Sequence, residues 1–434
     1  MRNILLKFKD KRGVALLIVF FVIVILAIYS ASFVSNSINR NFVADIFKRR
    51  TQAFNLAEAG LDHALVWLRA QGAPPIGIFT DPWGGIQNLG EGTYTVTITD
   101  LGPVGADPSI RRYRVNSTGR YAGMNRMMTN YLQVDNFARY LWFNDEEVFN
   151  DMPVWFWSQD RLNGPTHTNA HFNIFGSPVF ESRAYSADNY IHFFNNGNAV
   201  DLQQLTNPPF DLPDFQQGLD FGAEVVTMPA QALSLRSAAL NGGFFLQGDT
   251  TVMLNDNGTM NVTNAARGWV DQPMALPANG TLFVDGGNLI VSGTLNGRLT
   301  VGTSQDIIIP NNIVYADDPR ANPNSDDVLG IVSEGDVVID DNAPFDLEIN
   351  ACIMAMDTSF LRENWWVGPA LGTLSIYGGI IQDQRGPIGT FNGATGQKRS
   401  GYSKDYAYDQ RLLGSPPLFM PTTMDYVTLS WQED

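Results

Sequence analysis

The sequence is poor in the residues that crosslink chains, hold zinc or bind nucleic acid. Its single cysteine, Cys352, cannot form an internal disulfide or a thiolate zinc site. Basic residues are also scarce, with 28 lysines and arginines against 44 acidic residues in 434, and the formal net charge is −16. A nucleic-acid-binding protein needs a basic footprint, so this composition argues against that class of partner.

Charge separates the first 50 residues from the rest of the chain. They carry nine basic and two acidic residues, whereas the remainder carries 19 basic and 42 acidic residues. Between the two basic clusters, residues 13–34 read GVALLIVFFVIVILAIYSASFV, with no charge and no proline. A helix of this length crosses about 30 Å of hydrocarbon. We therefore expect one transmembrane segment, residues 14–34.

A cleaved secretory signal peptide is the alternative interpretation of this segment. The apolar run is longer than the usual signal core of about 7–15 residues, and no small-x-small cleavage pattern follows it. The helical pattern also continues beyond the membrane edge, with apolar residues at Phe54, Ala57, Leu61, Ala64, Leu65 and Leu68. The first proline comes only at Pro74. The sequence predicts one helix over residues 14–70.

The N-terminal segment resembles that of type IV pilin-like proteins of the PilX type. The resemblance rests on a short basic leader ending in Lys11-Arg12-Gly13, on the apolar run that opens at Val14, and on the stretch RTQAFNLAEAGL at residues 50–61. It implies that residues 1–13 are a leader that prepilin peptidase removes between Gly13 and Val14. It also implies storage in the inner membrane and assembly with other pilin-like subunits through the helix.

The predicted mature chain departs from most pilins at its fifth residue, which is Ile18 instead of glutamate. In the family that carboxylate is thought to pair with the N-terminal amine of a neighbouring subunit, because an unpaired charge in an apolar core is costly. A subunit that lacks it resembles the minor subunit at the tip of a secretion pseudopilus. We therefore favour a minor, tip-located or priming subunit, with a helix that serves only as an anchor as the alternative.

Basic residues flank the apolar run on both sides, so charge alone decides its orientation weakly. The short leader and the resemblance place the N-terminus in the cytoplasm and the acidic remainder in the periplasm or outside the cell.

Residues 71–136 are predicted to form a small antiparallel sheet beside the helix, an α+β head. Its expected strands are residues 93–98, 112–118 and 127–135, which alternate or are rich in β-branched residues.

Residues 137–434 are predicted to form a separate all-β module. Lysine almost disappears there, leaving only Lys398 and Lys404, and short apolar runs recur between Gly, Asn and Asp turns. The runs are residues 281–284, 288–291, 298–301, 306–309, 312–315, 330–332, 336–339, 349–353 and 374–377. We favour a right-handed parallel β-helix. Asn-Gly pairs at residues 257–258, 279–280 and 296–297 leave a sandwich possible.

A second resemblance concerns this module. The element GPTHTN at residues 164–169 and the closing part of the chain, residues 385–389, 401–409 and 416–419, are similar to an uncharacterised solenoid-like domain found behind PilX-type N-termini. This resemblance supports the architecture. It implies no chemistry, because that domain has no assigned activity.

Candidate metal and ligand groups in the module have simpler structural interpretations. His167 and His171 are four residues apart and suit metal ligation, but we expect hydrogen bonding in turns. The acidic stretches 317–327 and 340–342 match no calcium-binding motif and are expected to be solvated loops. The aromatic runs 155–157 and 365–366 could stack on sugars or on a partner, yet packing under loops is the simpler expectation.

The sequence as a whole predicts a non-catalytic minor pilin-like subunit, without cofactor or metal, that displays a β-solenoid for assembly, capping or adhesion. The alternative is a membrane-anchored β-helix enzyme or envelope protein acting on surface polysaccharide. A glycosidase would need two carboxylates about 5–10 Å apart. The apolar runs contain no recurring acidic pair, and Arg298 is their only basic residue. We therefore expect no enzymatic activity, although a surface or polysaccharide ligand remains possible.

Overall fold

The computed structural model describes residues 11–71, 74–104, 107–194, 199–200 and 211–433, and it opens with one long helix. Helix α1 runs from Lys11–Arg69, which confirms the continuous helix expected from the sequence. It contains no proline, and its first glycine after Gly13 is Gly60. Both residues destabilise helix interiors, so their absence favours continuity over this length.

The C-terminal half of α1 packs against a six-stranded antiparallel sheet. Strands β3, β4 and β5 contain the three strands predicted for the head and confirm them. In β3 buried and half-buried residues alternate, which is typical of a sheet with one covered face. The six strands are β1 (Ile78–Thr80), β2 (Gln87–Leu89), β3 (Gly92–Val104), β4 (Asp107–Tyr121), β5 (Met124–Asn136) and β35 (Thr422–Glu433).

The last strand of the chain belongs to this first sheet. Strand β35 pairs antiparallel with β5, and Thr422 lies opposite Asn136. Tyr426 of β35 enters the same core as Leu68 of α1 and Tyr113 of β4. The predicted module, residues 137–434, includes β35. In the structure, residues 137–421 are inserted between two neighbouring strands of the head sheet.

The inserted region is rich in short strands, as predicted. Its one α-helix among the described residues is α2 (Leu233–Leu240), an eight-residue segment that the sequence analysis did not predict. Most of its strands join in one sheet, whereas β9, β12, β15 and β16 form a second and β7 and β8 a third. The first strands are β6 (Trp142–Glu146), β7 (Val148–Phe149), β8 (Met152–Pro153), β9 (Phe156–Trp157), β10 (Arg161–Asn163), β11 (Thr166–Thr168), β12 (Asn173–Phe175), β13 (Val179–Phe180), β14 (Ala184–Ser186), β15 (Ile191–Phe193), β16 (Ala199–Val200), β17 (Asp214–Phe215) and β18 (Leu219–Phe221).

The remaining strands follow α2, and each of the nine apolar runs named above falls on a strand, which confirms those predictions. They are β19 (Phe244–Gln247), β20 (Thr250–Asn255), β21 (Thr259–Asn264), β22 (Trp269–Ala275), β23 (Thr281–Asp285), β24 (Leu289–Leu295), β25 (Arg298–Thr303), β26 (Ile307–Ile309), β27 (Ile313–Tyr315), β28 (Val328–Ser333), β29 (Val337–Ile339), β30 (Leu347–Ala355), β31 (Phe360–Arg362), β32 (Ala370–Gln384), β33 (Gly389–Phe391) and β34 (Lys398–Tyr408).

Parallel pairing dominates the large sheet. Ten strands follow one another through parallel pairs in the order β18, β14, β11, β6, β32, β30, β28, β25, β23 and β19. Strands β18 and β19 are neighbours in sequence but end this series on opposite sides. The first of these ten strands along the chain, β6, lies near the middle of the series. The expectation of a large all-β region with parallel strands is confirmed.

Antiparallel hairpins interrupt this pattern at few places. Asn257-Gly258 joins β20 to β21 in an antiparallel pair, as an Asn-Gly turn favours. The other two Asn-Gly pairs precede β23 and β25, which pair with parallel neighbours. Apolar side chains fill one contiguous core beneath the strands, from Phe137 through Ile331 to Met420.

Candidate functional site

The N-terminal half of α1 exposes apolar side chains along its length. Every residue from Ala15 to Ala44 is exposed, and Phe33 shows 76% of its surface. Ile18, the fifth residue after the predicted cleavage site, is 57% exposed. Among the described residues, this is the one helix long and apolar enough to cross a membrane. Such a surface is stable only in lipid or against other apolar helices.

The predicted cleavage site lies at the start of this helix. Gly13 and Val14 belong to the first turns of α1, while residues 1–10 of the predicted leader lie outside the described residues. Cleavage there remains a prediction.

The C-terminal half of α1 meets the sheet through small residues. Ala53, Ala57, Gly60 and Ala64 are buried at spacings of three and four, so they share one helix face. The face is rotated from the one expected from sequence, because Phe54, Leu61 and Leu65 are only half-buried. Small residues let the helix backbone approach the strands closely. The AFNLAEAGL motif is therefore also a packing motif.

Polar contacts fix the end of α1 on the sheet. The His63 Nδ1 and the Tyr94 hydroxyl are 2.8 Å apart, and the His63 ring stacks on Trp83 at 3.8 Å between centroids. The Arg69 guanidinium pairs with the Asp425 carboxylate at 2.7 Å. The last turn of α1 is thus tied to the last strand of the chain.

The two candidate histidines do not form a common site. His167 lies in β11, is buried against Phe143, and is 3.0 Å from the Asn169 side-chain oxygen through Nε2. Burial lowers the pKa of His167. His171 lies outside a strand and pairs with Asp188 at 3.0 Å. Both histidines make local contacts as expected, but His167 does so from a strand and not from a turn. No group of three metal-ligating side chains occurs in the part of the chain that the structure describes.

The carboxylates of the two acidic stretches bind other groups of the protein. Asp327 accepts hydrogen bonds from the backbone amides of Gly297, at 2.5 Å, and Asp317, at 2.8 Å. Asp318 holds Arg320 at 2.7 Å, and Arg320 also reaches Glu348. In the second stretch Asp341 pairs with Arg362 at 2.9 Å. These carboxylates therefore shape and connect loops.

The aromatic runs divide between the core and a cavity. Phe156 and Trp157 are buried, which confirms the expected packing for both, but Trp366 is 58% exposed, so the packing prediction is wrong there. Trp155, Trp157 and Trp365 line a common cavity of about 290 Å³. Trp366 is exposed because it lies in a turn, where its ring contacts Trp365 edge-on.

Two buried ion pairs lie beside this cavity. The Arg385 guanidinium, fully buried, pairs with Glu147 at 2.9 Å and stacks 3.4 Å from the centre of the Phe156 ring. Lys404 pairs with Asp160 at 2.9 Å, with 9% and 2% of the side chains exposed. Burial lowers the pKa of Lys404, and the Asp160 carboxylate opposes that shift.

Sequence reasoning missed this cavity and its cations. The available signal was the scarcity of lysine, because Lys398 and Lys404, the two lysines of the module, both line it. The walls come from residues 149–160, 194, 365 and 387–404, which no local pattern connects.

Comparison with known proteins gives limited similarity. A family model described as a domain of unknown function, DUF4900, matches residues 103–188, about a fifth of the chain, from the head sheet to β14. No curated protein sequence matches the chain. Among solved structures, the chain is similar to the competence-associated pilin ComZ from Thermus thermophilus, with 10% sequence identity and a TM-score of 0.38, over 89% of this chain and 97% of that one.

Proposed function

We propose that the protein is a non-catalytic, pilin-like minor subunit of a type IV pilus or related filament. The continuity of α1 carries this proposal. One unbroken helix exposes an apolar half and packs one face of its other half against a folded head. An ordinary anchor needs only a membrane span, whereas a filament subunit needs a span that stays rigidly joined to its head.

The exposed half of α1 suits two environments in turn. In the inner membrane, lipid covers its side chains. In a filament, helices of neighbouring subunits replace the lipid and bury the same area, at roughly 25 cal/mol per Å². Ile18 offers no carboxylate to a neighbouring amine. This supports a position at the filament tip, where one neighbour is missing.

The inserted region is the part that such a subunit would display. We propose that its parallel strands form a right-handed β-helix, since residues on successive parallel strands stack in register over ten strands. Its acidic surface would face the periplasm or the exterior. There it would serve assembly, capping or adhesion.

Intact mass spectrometry of the membrane-extracted protein tests the pathway. The wild type should lose residues 1–13 in cells that contain prepilin peptidase and keep them in cells that lack it. The Gly13→Ala variant should stay uncut in both, because the peptidase reads the residue before the cut. A wild-type chain that remains intact, or is cut elsewhere, would contradict the proposal.

Crosslinking separates a filament subunit from a simple anchor. With Cys352 changed to serine, Phe33→Cys places one thiol on the exposed face of α1, and an Asp256→Cys control places one on an exposed turn of the module. Peptidase-dependent crosslinks to other pilin-like subunits should form from position 33 and not from position 256. Equal crosslinking with and without peptidase would indicate an anchor.

A further inference from the structure

The cavity beside β9 has the size of a site for one small ring compound. Its volume is about 290 Å³. An engineered apolar cavity of about 150 Å³ stays dry and binds benzene, so this cavity has room for one substituted ring or for two fused rings. Two residues of its lining, Trp155 and Trp365, are half-buried, and a third, Met152, is 54% exposed. The cavity therefore reaches solvent, and a ligand can enter it.

Aromatic rings of the lining are held in place by contacts within the protein. Trp157 lies parallel to Phe391, with 6.0 Å between ring centroids, and its indole donates a hydrogen bond of 3.1 Å to the Gly396 carbonyl. Phe194 contacts two other rings of the lining edge-on, Trp155 at 5.1 Å and Phe391 at 5.9 Å. Because these rings pack on one another, few side chains need to be ordered when a ligand binds.

The charged groups of the lining are bonded within the protein. The Lys398 ammonium donates its three hydrogens to two backbone carbonyl groups and to the Ser403 hydroxyl. The Asp346 carboxylate also favours its charged form. Lys404 pairs with Asp160 at 2.9 Å. A charged ligand would therefore lose its hydration on entry and find each counter-ion already engaged, which is unfavourable.

The hydroxyl groups of the lining also have partners. The Ser400 hydroxyl donates to the Trp365 carbonyl, so it accepts from Thr390, whose side-chain oxygen lies 2.7 Å away. The Tyr402 hydroxyl donates to the Pro344 carbonyl. A sugar would bury several hydroxyl groups here with few protein groups left to bond them, which is costly. An aromatic ring needs no such partners.

We propose that this cavity binds a neutral aromatic compound of one or two rings. Burying the compound removes apolar surface from water, and the aromatic walls add stacked or edge-on contacts. No polar side chain of the lining needs to give up its protein partner when the ring enters. The inference concerns the inserted region alone and does not depend on whether α1 enters a filament.

Titration calorimetry of the full chain in detergent micelles tests the proposal, with indole as the probe. We expect saturable binding of a single indole per chain that added salt does not weaken, because no charge pair forms. Partition into the detergent is not saturable and is measured with empty micelles. Indole-3-acetate, an aromatic acid, and methyl glucoside, a neutral sugar, should each bind about tenfold or more weakly. Lack of saturable indole binding, or equal binding of either comparison compound, would overturn the proposal.

Variants locate the binding in the cavity. Trp155→Ala and Trp365→Ala each remove one wall and should weaken indole binding by about tenfold. Trp431→Ala, at an exposed indole of β35 in the head, is the matched control and should leave the affinity unchanged. If a wall variant lowers the melting temperature, Thr390→Phe, which fills the cavity from another wall, provides an independent loss of binding. Unchanged affinity in all three cavity variants would show that indole binds elsewhere and would overturn the proposal.

Discussion

Gly119 of strand β4 lies directly against the backbone of Ala53 in helix α1. A Cβ atom at position 119 would stand 2.9 Å from the Leu56 Cβ and closer still to the Ala53 carbonyl oxygen and the Ala57 nitrogen. The strand and the helix meet backbone to backbone at this point. The head therefore depends on the absence of a side chain at position 119.

Gly119→Ala should lower the free energy of unfolding of the head by about 1–3 kcal/mol, because backbone atoms cannot move aside for the new methyl group. Chemical denaturation followed by tryptophan fluorescence measures this, since Trp83 lies in the head. Gly414→Ala is the matched control, because its Cβ would meet no atom within 4 Å. Equal stability of the two variants would contradict the close approach.

The buried pair of Arg385 and Glu147 should be sensitive to the loss of one partner. Arg385→Met leaves the Glu147 carboxylate buried without its cation, and we expect a loss of about 3–5 kcal/mol in unfolding free energy. The double variant Arg385→Met with Glu147→Met should recover much of that loss. Arg183→Met, in an exposed pair with Asp220, should leave the stability nearly unchanged, because solvent screens that pair. Thermal and denaturant unfolding report all three.

Asp383 gives the protein a pH-dependent stability. Burial, followed by the charges of Asp145, Glu146 and Asp357, raises the pKa of Asp383 to about 6. The folded state therefore binds this proton more tightly than the unfolded state, and the contribution of Asp383 falls as the pH rises from about 4 through 6.

The variant Asp383→Asn removes that penalty. Its melting temperature should exceed that of the wild type at pH 7.5, and the difference should vanish near pH 3, below the ordinary pKa of an aspartate, where the wild-type group is protonated in both states. The Asp256→Asn variant, at an exposed position of the module, serves as the control for the substitution itself. A constant difference across this pH range would show that the proton on Asp383 is not the cause.

Cys352 should be unreactive in the native protein. It is 1% exposed, and burial raises the pKa of its thiol, so little thiolate is available. A chromogenic disulfide reagent should find no thiol in the folded protein and one thiol per chain in guanidinium. Rapid labelling under native conditions would indicate that β30 opens readily.

Elements with a clear period were predictable from the sequence. The long helix followed from an unbroken apolar run and the spacing from Phe54 to Leu68, and β3 followed from strict alternation. The apolar runs after residue 280 also fell on strands, because polar turns bound each of them. Even so, the buried face of α1 was misplaced by a rotation, since small residues such as Ala53 and Gly60 carry little hydropathy signal.

Long-range pairings were not predictable from a single sequence. The partners Asn136 and Thr422 are nearly 300 residues apart, and nothing in the sequence of either strand identifies the other as its partner. The alternation of Val427, Leu429 and Trp431 with polar residues could have indicated a strand but not its covered face, because Leu429 and Trp431 are exposed and Tyr426 is buried. The cavity was hidden for the same reason. The aromatic residues of its walls have the sequence pattern of core residues, and only the fold brings Lys398 next to them.

The insertion of residues 137–421 between β5 and β35 has a mechanical consequence. A domain joined by one linker would pass any pulling force through a single strand. Here tension between the inserted region and α1 divides between two adjacent chain crossings, at Asn136 and Thr422. Both crossings are pulled in the same direction, so the load does not peel β35 away from β5. The pairing that holds the head together therefore also lets it bear strain as a two-stranded tether.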